Sequence, residues 1–463
     1  MGLKVELRTD SGVPLYRQLY DQIRELIASG RLADGERLPP TREWAVSLGL
    51  HRATVAAAYE LLERDGLVRG HVGRGSFVKA PRAARISFAT SRPSEDLFPL
   101  EEFRAAAADV LGAAGLTSIL QLGSPFGYEP LRAYLLREFR KRGVARETDD
   151  VLITNGCQQA LDLLQRTLVM PGDLVFVEDP VYPGLREVLH RAGARLVGLP
   201  VGEQGVSLAE LERELRRERP KMIVLTPNFE NPTGATMPAA AREEVLRLAA
   251  AYSVRVIEND LYGALRYRGK AEPSLKELDR FGEVIQVGSF SKIAFPGLRV
   301  GWMLGPRGAV AGCAAAKQWS DLHSDQLSQA VLLRFAESGA LERHRRRVVQ
   351  AGLRRLCAAL EACEAYLPAG SEWTRPDGGM NVWVTLPGHV DTAELLRRSV
   401  EQGVEFLPGS YFEVTHPQRN GLRLSFAGLA PDSIQAGIGI LGRLAAAEAR
   451  RADGRPKPPV AVV

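Results

Sequence analysis

Lys292 stands in Gly288-Ser289-Phe290-Ser291-Lys292, directly after the apolar run Val284-Ile285-Gln286-Val287. Arg299 follows in Pro296-Gly297-Leu298-Arg299-Val300-Gly301. A lysine amine can form an imine with an aldehyde. The hydroxyls of Ser289 and Ser291 and the Arg299 guanidinium can hold a phosphate. An aldehyde and a phosphate on one small molecule describe pyridoxal 5'-phosphate.

Four upstream segments offer the remaining groups such a cofactor needs. Asn155-Gly156-Cys157-Gln158-Gln159 opens a helix, whose free N–H groups around Cys157 can bind phosphate, with Gln158 as an added donor. Tyr182, in Asp179-Pro180-Val181-Tyr182-Pro183-Gly184, can stack on a pyridine face. Asn231, in Asn228-Phe229-Glu230-Asn231-Pro232-Thr233-Gly234, can donate to a phenolate oxygen. Asp260, in Glu258-Asn259-Asp260-Leu261-Tyr262, can pair with the pyridinium nitrogen and keep the ring an electron sink. Tyr262 can bond the phenolate oxygen. Taken singly, these are also a helix cap, a loop tyrosine, a turn and a solvated aspartate. Their order along the chain is the specific feature. Lys292, Asp260 and Tyr262 are the candidate catalytic residues.

These residues need strands behind them. Buried strands are predicted over 174–177, 222–225, 254–257 and 284–287, each followed within a few residues by polar chemistry. An alternation of such runs with helical patterns implies a mainly parallel α/β sheet, whose ligands bind beyond the carboxyl ends of the strands. The four cysteines, Cys157, Cys313, Cys357 and Cys363, make no pair or His/Cys cluster at zinc spacing, so no metal is expected. A reducing, cytoplasmic setting is expected for the same reason. No signal peptide or membrane-spanning run is expected either.

The N-terminal part has a different character. Leu15, Leu19, Ile23, Leu26 and Ile27 predict an amphipathic helix over 14–29. Thr41 is placed to cap a second helix ending at Gly49, with Trp44, Ala45 and Leu48 inward. A third helix over 50–65 buries Val55, Ala58, Tyr59 and Leu62. Strands over 67–69 and 76–79 flank a hairpin tip, His71-Val72-Gly73-Arg74-Gly75. The net charge is only +5, but from Gly66 to Arg85 every charged residue is basic. Three helices and a basic hairpin make a winged helix-turn-helix. It would present His51, Arg52 and Thr54 to a major groove, Arg42 to a phosphate and Arg74 to a minor groove.

The stretches Pro14-Leu15-Tyr16, Gly35-Glu36-Arg37-Leu38-Pro39-Pro40-Thr41-Arg42-Glu43, Arg52-Ala53-Thr54-Val55 and Gly73-Arg74-Gly75-Ser76-Phe77-Val78 resemble the GntR family of bacterial regulators. His51 departs from the serine that usually caps the recognition helix there. The series Gln158, Tyr182, Asn231, Asp260, Tyr262, Lys292, Arg299 resembles the fold-type I pyridoxal phosphate enzymes, the aspartate aminotransferase superfamily. That resemblance implies Lys292 as the Schiff-base lysine and Asp260 on the pyridine nitrogen. It places Ser289, Ser291 and Arg299 around the phosphate. It also implies that Arg423, in Gly421-Leu422-Arg423-Leu424-Ser425, grips a substrate carboxylate. Leu122 stands where many relatives carry a tyrosine that reaches a partner's phosphate.

Both halves together resemble the MocR family. The implied fold is α/β: a winged helix-turn-helix over 1–80, a linker over 81–87, and an aminotransferase-like region with large and small domains over 88–449. A disordered tail is expected over 450–463. The implied cofactor is pyridoxal 5'-phosphate. The implied partners are double-stranded DNA with paired half-sites, an amine, amino-acid or B6-vitamer effector, and a second copy of the chain. Two uses of the site stay open. One is a regulator that senses an effector. The other is an active aminotransferase of the 2-aminoadipate type that carries a DNA-binding domain.

Overall fold

The computed structural model describes residues 5, 7, 12–28, 31–32, 35–71, 75–78 and 86–453. Arg74, Lys79, most of the expected linker and the end of the expected tail lie outside the described residues. The chain divides into two compact units, Met1–Arg85 and Ile86–Val463.

The first unit holds helices α1 (Leu15–Ala28), α2 (Thr41–Leu48) and α3 (Arg52–Arg64), then the hairpin β1 (Val68–His71) and β2 (Gly75–Val78). Leu19, Ile23, Trp44, Val55, Ala58, Tyr59 and Leu62 form its core. Gly49 takes a left-handed conformation, φ 68°, which stops α2. The N–H of Leu50 turns back to Ala45 O, so α3 starts at Arg52 rather than at residue 50. Thr41 is not a cap: Pro40 holds that position in extended geometry, and its carbonyl accepts from Trp44 N. Proline brings no side-chain acceptor, so α2 has no side-chain cap bond. His51 does stand at the N-cap of α3, also with no side-chain cap bond.

The second unit begins with β3 (Ile86–Ser87), which pairs in parallel with a strand at Val404–Glu405. Ile86 and Ser87 are therefore sheet residues, not linker. Its main sheet has eight strands: β4 (Asp149–Thr154), β5 (Leu174–Asp179), β6 (Arg195–Gly202), β7 (Gly205–Val206), β8 (Met222–Leu225), β9 (Arg255–Asn259), β10 (Val284–Ser289) and β11 (Gly301–Pro306). Their spatial order is β4-β11-β10-β9-β8-β5-β6-β7. The run β10-β9-β8-β5-β6 is parallel, while β11 runs against both its neighbours and β7 against β6. Every residue of β5, β8 and β10 is buried. Helices on both faces account for that, and for the continuous apolar runs in the sequence.

A smaller sheet follows, built from β12 (Glu372–Trp373), β13 (Asn381–Thr385), β15 (Leu407–Pro408) and β16 (Gly421–Ser425), in order β12-β13-β16-β15. The strand at Val404–Glu405 is β14. Two long helices, Ala340–Tyr366 and Pro431–Asp453, share a core with this sheet through Leu356, Ala359, Cys363, Ile434, Ile438 and Leu441. The last helix runs to Asp453, past the expected start of the tail. No described helix is long and apolar enough to cross a membrane. Among the described residues no cluster of His, Cys, Asp or Glu could hold a metal ion.

Candidate functional site

The candidate groups lie beyond the carboxyl ends of five strands. Cys157 and Gln158 follow β4, Tyr182 follows β5, and Asn231 follows β8. Asp260 and Tyr262 follow β9, and Ser289 to Lys292 end β10.

One end of the site suits an anion. The helix Cys157–Leu168 begins after Gly156, whose φ is 77°. Its first-turn N–H groups lack intrahelical acceptors and bring a favourable dipole. Arg299 donates from Nη2 to Asn155 O at 3.1 Å. A Cβ at Gly156 would stand 2.5 Å from that Nη2, so only glycine leaves the guanidinium its place. Ser289 and Ser291 join this end, their hydroxyl oxygens 2.8 Å apart. Gln158 has a different task from the one its position suggested. Its Nε2 donates to Gly184 O at 3.0 Å, and its Oε1 accepts from the Tyr182 hydroxyl at 3.2 Å. The side chain holds the tyrosine loop rather than an open donor position. Asp321, not anticipated from sequence, accepts from Asn155 Nδ2 and Gln159 Nε2 and steadies the turn before the helix.

The middle of the site suits a protonated aromatic ring. Asn231 Nδ2 lies 3.5 Å from the Tyr262 hydroxyl, and Lys292 Nζ lies 5.8 Å from the centre of the Tyr262 ring. Asp260 accepts at Oδ1 from Asn228 Nδ2 and from Gly263 N. Burial pulls the Lys292 amine from the usual 10.5 down to about 8, with Arg423 and Arg299 acting in the same direction. An amine so placed is partly neutral near pH 7 and able to attack a carbonyl. Burial also pushes the Cys157 thiol up to about 11 and the Tyr262 phenol higher still, so both stay protonated.

The other end suits a carboxylate. Arg423, on β16, is 4 % exposed. Its Nη1 donates to Asn231 Oδ1 at 2.9 Å, its Nη2 donates to Ala89 O, and its Nε is buried without a partner. A buried, incompletely paired guanidinium is costly unless an anion completes it. Lys292 Nζ donates to Ser91 O at 2.5 Å. Ser91 Oγ donates to Asn381 Oδ1 at 2.6 Å, and Asn381 Nδ2 reaches toward Asn231 Oδ1 at 3.5 Å. Ala89, Ser91 and Asn381 escaped the sequence reading because two of them act through backbone oxygens, and Asn381 is 150 residues from its partner. The buried carboxylate of Asp179 was also unforeseen. It accepts from the backbone N–H groups of Val414, Thr415 and His416 and ties that loop to the end of β5.

In the first unit, His51 and Arg52 are exposed at the start of α3, Thr54 is half-buried one turn in, and Arg42 is exposed on α2. Arg37, not singled out from sequence, bridges to Phe77 and lays its guanidinium against Gly75 at the base of the wing.

This geometry agrees with what the chain is similar to. A family model for bacterial regulatory proteins of the gntR family matches residues 15–78, and one for aminotransferase class I and II matches residues 83–441. The probable rhizopine catabolism regulatory protein MocR of Rhizobium meliloti is 30% identical over 94% of this chain and 94% of its own. The chain belongs to the MocR family. The regulator TauR of Rhodobacter capsulatus is 31% identical to this MocR-family chain over 93% of it and 96% of TauR. A 2-aminoadipate transaminase of Thermus thermophilus is 38% identical over 78% of the chain and 90% of the enzyme. The kynurenine aminotransferase of Pyrococcus horikoshii superposes with a TM-score of 0.77 at 36% identity, over 79% of this chain and 92% of that one.

Pyridoxal 5'-phosphate is the cofactor of this MocR-family fold, and the residues present fit it. The cradle at Gly156 and Arg299 prefers an anion, Asp260 can offer a carboxylate to a ring nitrogen, and Lys292 offers an amine. When bound, the cofactor supplies an aldehyde for amines and a ring that withdraws electrons.

Proposed function

We propose that this pyridoxal phosphate-dependent regulator responds to an amine that carries a carboxylate. Residues 1–80 bind operator DNA, and 88–449 bind cofactor and effector. Lys292 takes the cofactor, with Asp260 on its ring nitrogen, Asn231 and Tyr262 on its phenolate oxygen and Tyr182 on its ring face. The backbone N–H groups of Cys157 and Gln158, with Ser289, Ser291 and Arg299, surround the phosphate, and Arg423 pairs with the effector's carboxylate. His51, Arg52, Thr54 and Arg42 face DNA, with Arg74 in the wing.

One observation carries the sensing reading. Lys292, which would take the cofactor, and Arg423, which would take the effector's carboxylate, donate to the carbonyl oxygens of Ser91 and Ala89. That segment follows almost directly on the unit ending at Arg85. An effector whose carboxylate claims Arg423 frees the Ala89 carbonyl and loosens the segment leading from the DNA-binding unit. DNA binding measured with and without pyridoxal phosphate and a panel of amino acids tests this. An affinity and footprint that never change would end it.

A homodimer on paired half-sites, in the cytoplasm, completes the reading. Exposed Leu120, Leu122, Trp319 and Leu322 support a partner surface: Trp319 is 91% exposed and Leu122 73%. An active aminotransferase is the second reading, favoured by the complete set of site residues. Turnover with amino donors and 2-oxoacids would establish it, and none across a broad panel would remove it.

A further inference from the structure

Arg242 lies on the helix Ala239–Ala251 and has no exposed surface. Its Nε donates to Met237 O at 2.8 Å and its Nη1 to Pro273 O at 3.0 Å. Its Nη2 donates to Pro227 O at 2.9 Å and to Asn228 Oδ1 at 2.7 Å. Among the described residues no carboxylate oxygen accepts from it. Burial lowers its hold on the proton, and the charges of Glu258, Asp260 and Glu272 act against that.

The partner of interest is Asn228. A guanidinium has donors only, so the Asn228 amide must turn its oxygen to Arg242. Its nitrogen is then left facing Asp260, and Nδ2 lies 3.0 Å from Asp260 Oδ1. The N–H of Gly263 donates to the same oxygen at 3.1 Å. The fit around this oxygen is close. A Cβ at Gly263 would stand 2.5 Å from Asp260 Oδ1 and 3.0 Å from Asn228 Nδ2. Among the described residues both donors reach Oδ1, which leaves Oδ2 for a further donor. A cleft of about 710 Å³ borders Asn228, Asp260 and Gly263, so water could serve Asp260 if the amide were free to turn.

We infer that Arg242 and Asn228 are positioning residues for the cofactor's ring nitrogen: Arg242 locks the Asn228 amide, and Asn228 aims the Asp260 carboxylate. This rests on the reading of Asp260 as that nitrogen's partner. The chain of bonds runs from the helix after β8 to the loop after β9. Arg242 thus acts on the Asp260 carboxylate through Asn228.

The test compares two ligands on the full-length protein: pyridoxal phosphate and its analogue with CH in place of the ring nitrogen. The ratio of their dissociation constants isolates the nitrogen's interaction from the general health of the fold. Asn228→Leu removes the donor to Asp260 and is expected to reduce the wild-type preference for pyridoxal phosphate at least tenfold. Arg242→Gln, which frees the amide to turn, is expected to reduce it several-fold, and Arg242→Lys to restore most of it. If Arg242→Gln does not fold, Asn228→Leu carries the decision. A ratio within twofold of wild type in Asn228→Leu overturns the inference. Asp260→Ala is the control on the reading beneath it: a preference that survives there removes Asp260, and with it this relay.

Discussion

Lys292 Nζ donates to the carbonyl oxygen of Ser91 at 2.5 Å. The bond joins the central amine of the site to a segment that enters the second unit only at Ile86. Phe88 anchors that segment, fully buried among Phe229, Tyr262, Met380 and Phe426. Just beyond Phe88, Ala89 and Ser91 make polar bonds to Arg423, Lys292 and Asn381. Polar bonds can be exchanged for a ligand's, whereas the burial of Phe88 cannot.

Amide exchange should report this exchange of partners. Adding an amino acid to the cofactor-loaded protein should change protection in the peptide spanning 89–94 but not at Ile86 and Phe88, whose N–H groups bond Gly403 O and Glu405 O. An unchanged pattern at 89–94 with a bound amino acid would separate the segment from effector binding.

The pH dependence of cofactor loading follows from Lys292. Its amine is depressed from 10.5 to about 8 by burial. Below pH 8 the protonated form dominates, so covalent capture, measured by borohydride trapping, should rise about tenfold per pH unit up to pH 8 and then level off. The stability sign runs the same way. The cost of burying this charge is complete below pH 8 and fades as pH rises toward 10.5. Lys292→Met should therefore raise the unloaded protein's thermal midpoint at pH 7, with the gap narrowing at pH 10. It should also abolish the visible absorbance of the bound cofactor.

Arg423→Ala should discriminate among ligands. A charge-assisted guanidinium–carboxylate pair contributes about 1.5–3 kcal/mol, or roughly 10–100-fold in affinity. Amino acids should lose that much, and amines without a carboxylate only a few-fold. Equal losses for both would place the carboxylate elsewhere.

On the DNA side, Arg52→Ala should weaken operator binding by about 1–3 kcal/mol if the guanidinium reads a base edge. Arg42→Ala should weaken all sequences alike and flatten the salt dependence. Binding isotherms on specific and scrambled DNA at two salt concentrations separate the two behaviours.

His51→Ser should firm the start of α3. The N-cap has no side-chain bond at present, and a serine hydroxyl there contributes about 1 kcal/mol. Slower amide exchange over 53–56, at unchanged fold, is the expected result.

Much of this was legible from residue types. The uninterrupted apolar runs that became β5, β8, β9 and β10 could be read because a sheet covered on both faces demands them. The positions of Lys292, Asp260 and Asn231 could be read because each sits a few residues past such a run, and that of Arg299 because it follows Lys292 by one short loop. Local geometry was read less well. Thr41 looked like a cap, but Pro40 before it already holds the extended position.

By itself the sequence determined the inventory: a DNA-binding module, a cofactor-binding sheet, and the amine, carboxylate and guanidinium that a pyridoxal phosphate site requires. Such groups announce themselves through side-chain chemistry and short spacing. Only the tertiary structure decided who holds whom. It set Gln158 on the tyrosine loop, Arg242 behind Asn228, and the carbonyls of Ala89 and Ser91 on Arg423 and Lys292. Those bonds join residues far apart in the chain, several through backbone atoms that every residue carries, and no pattern of residue types can mark them in advance.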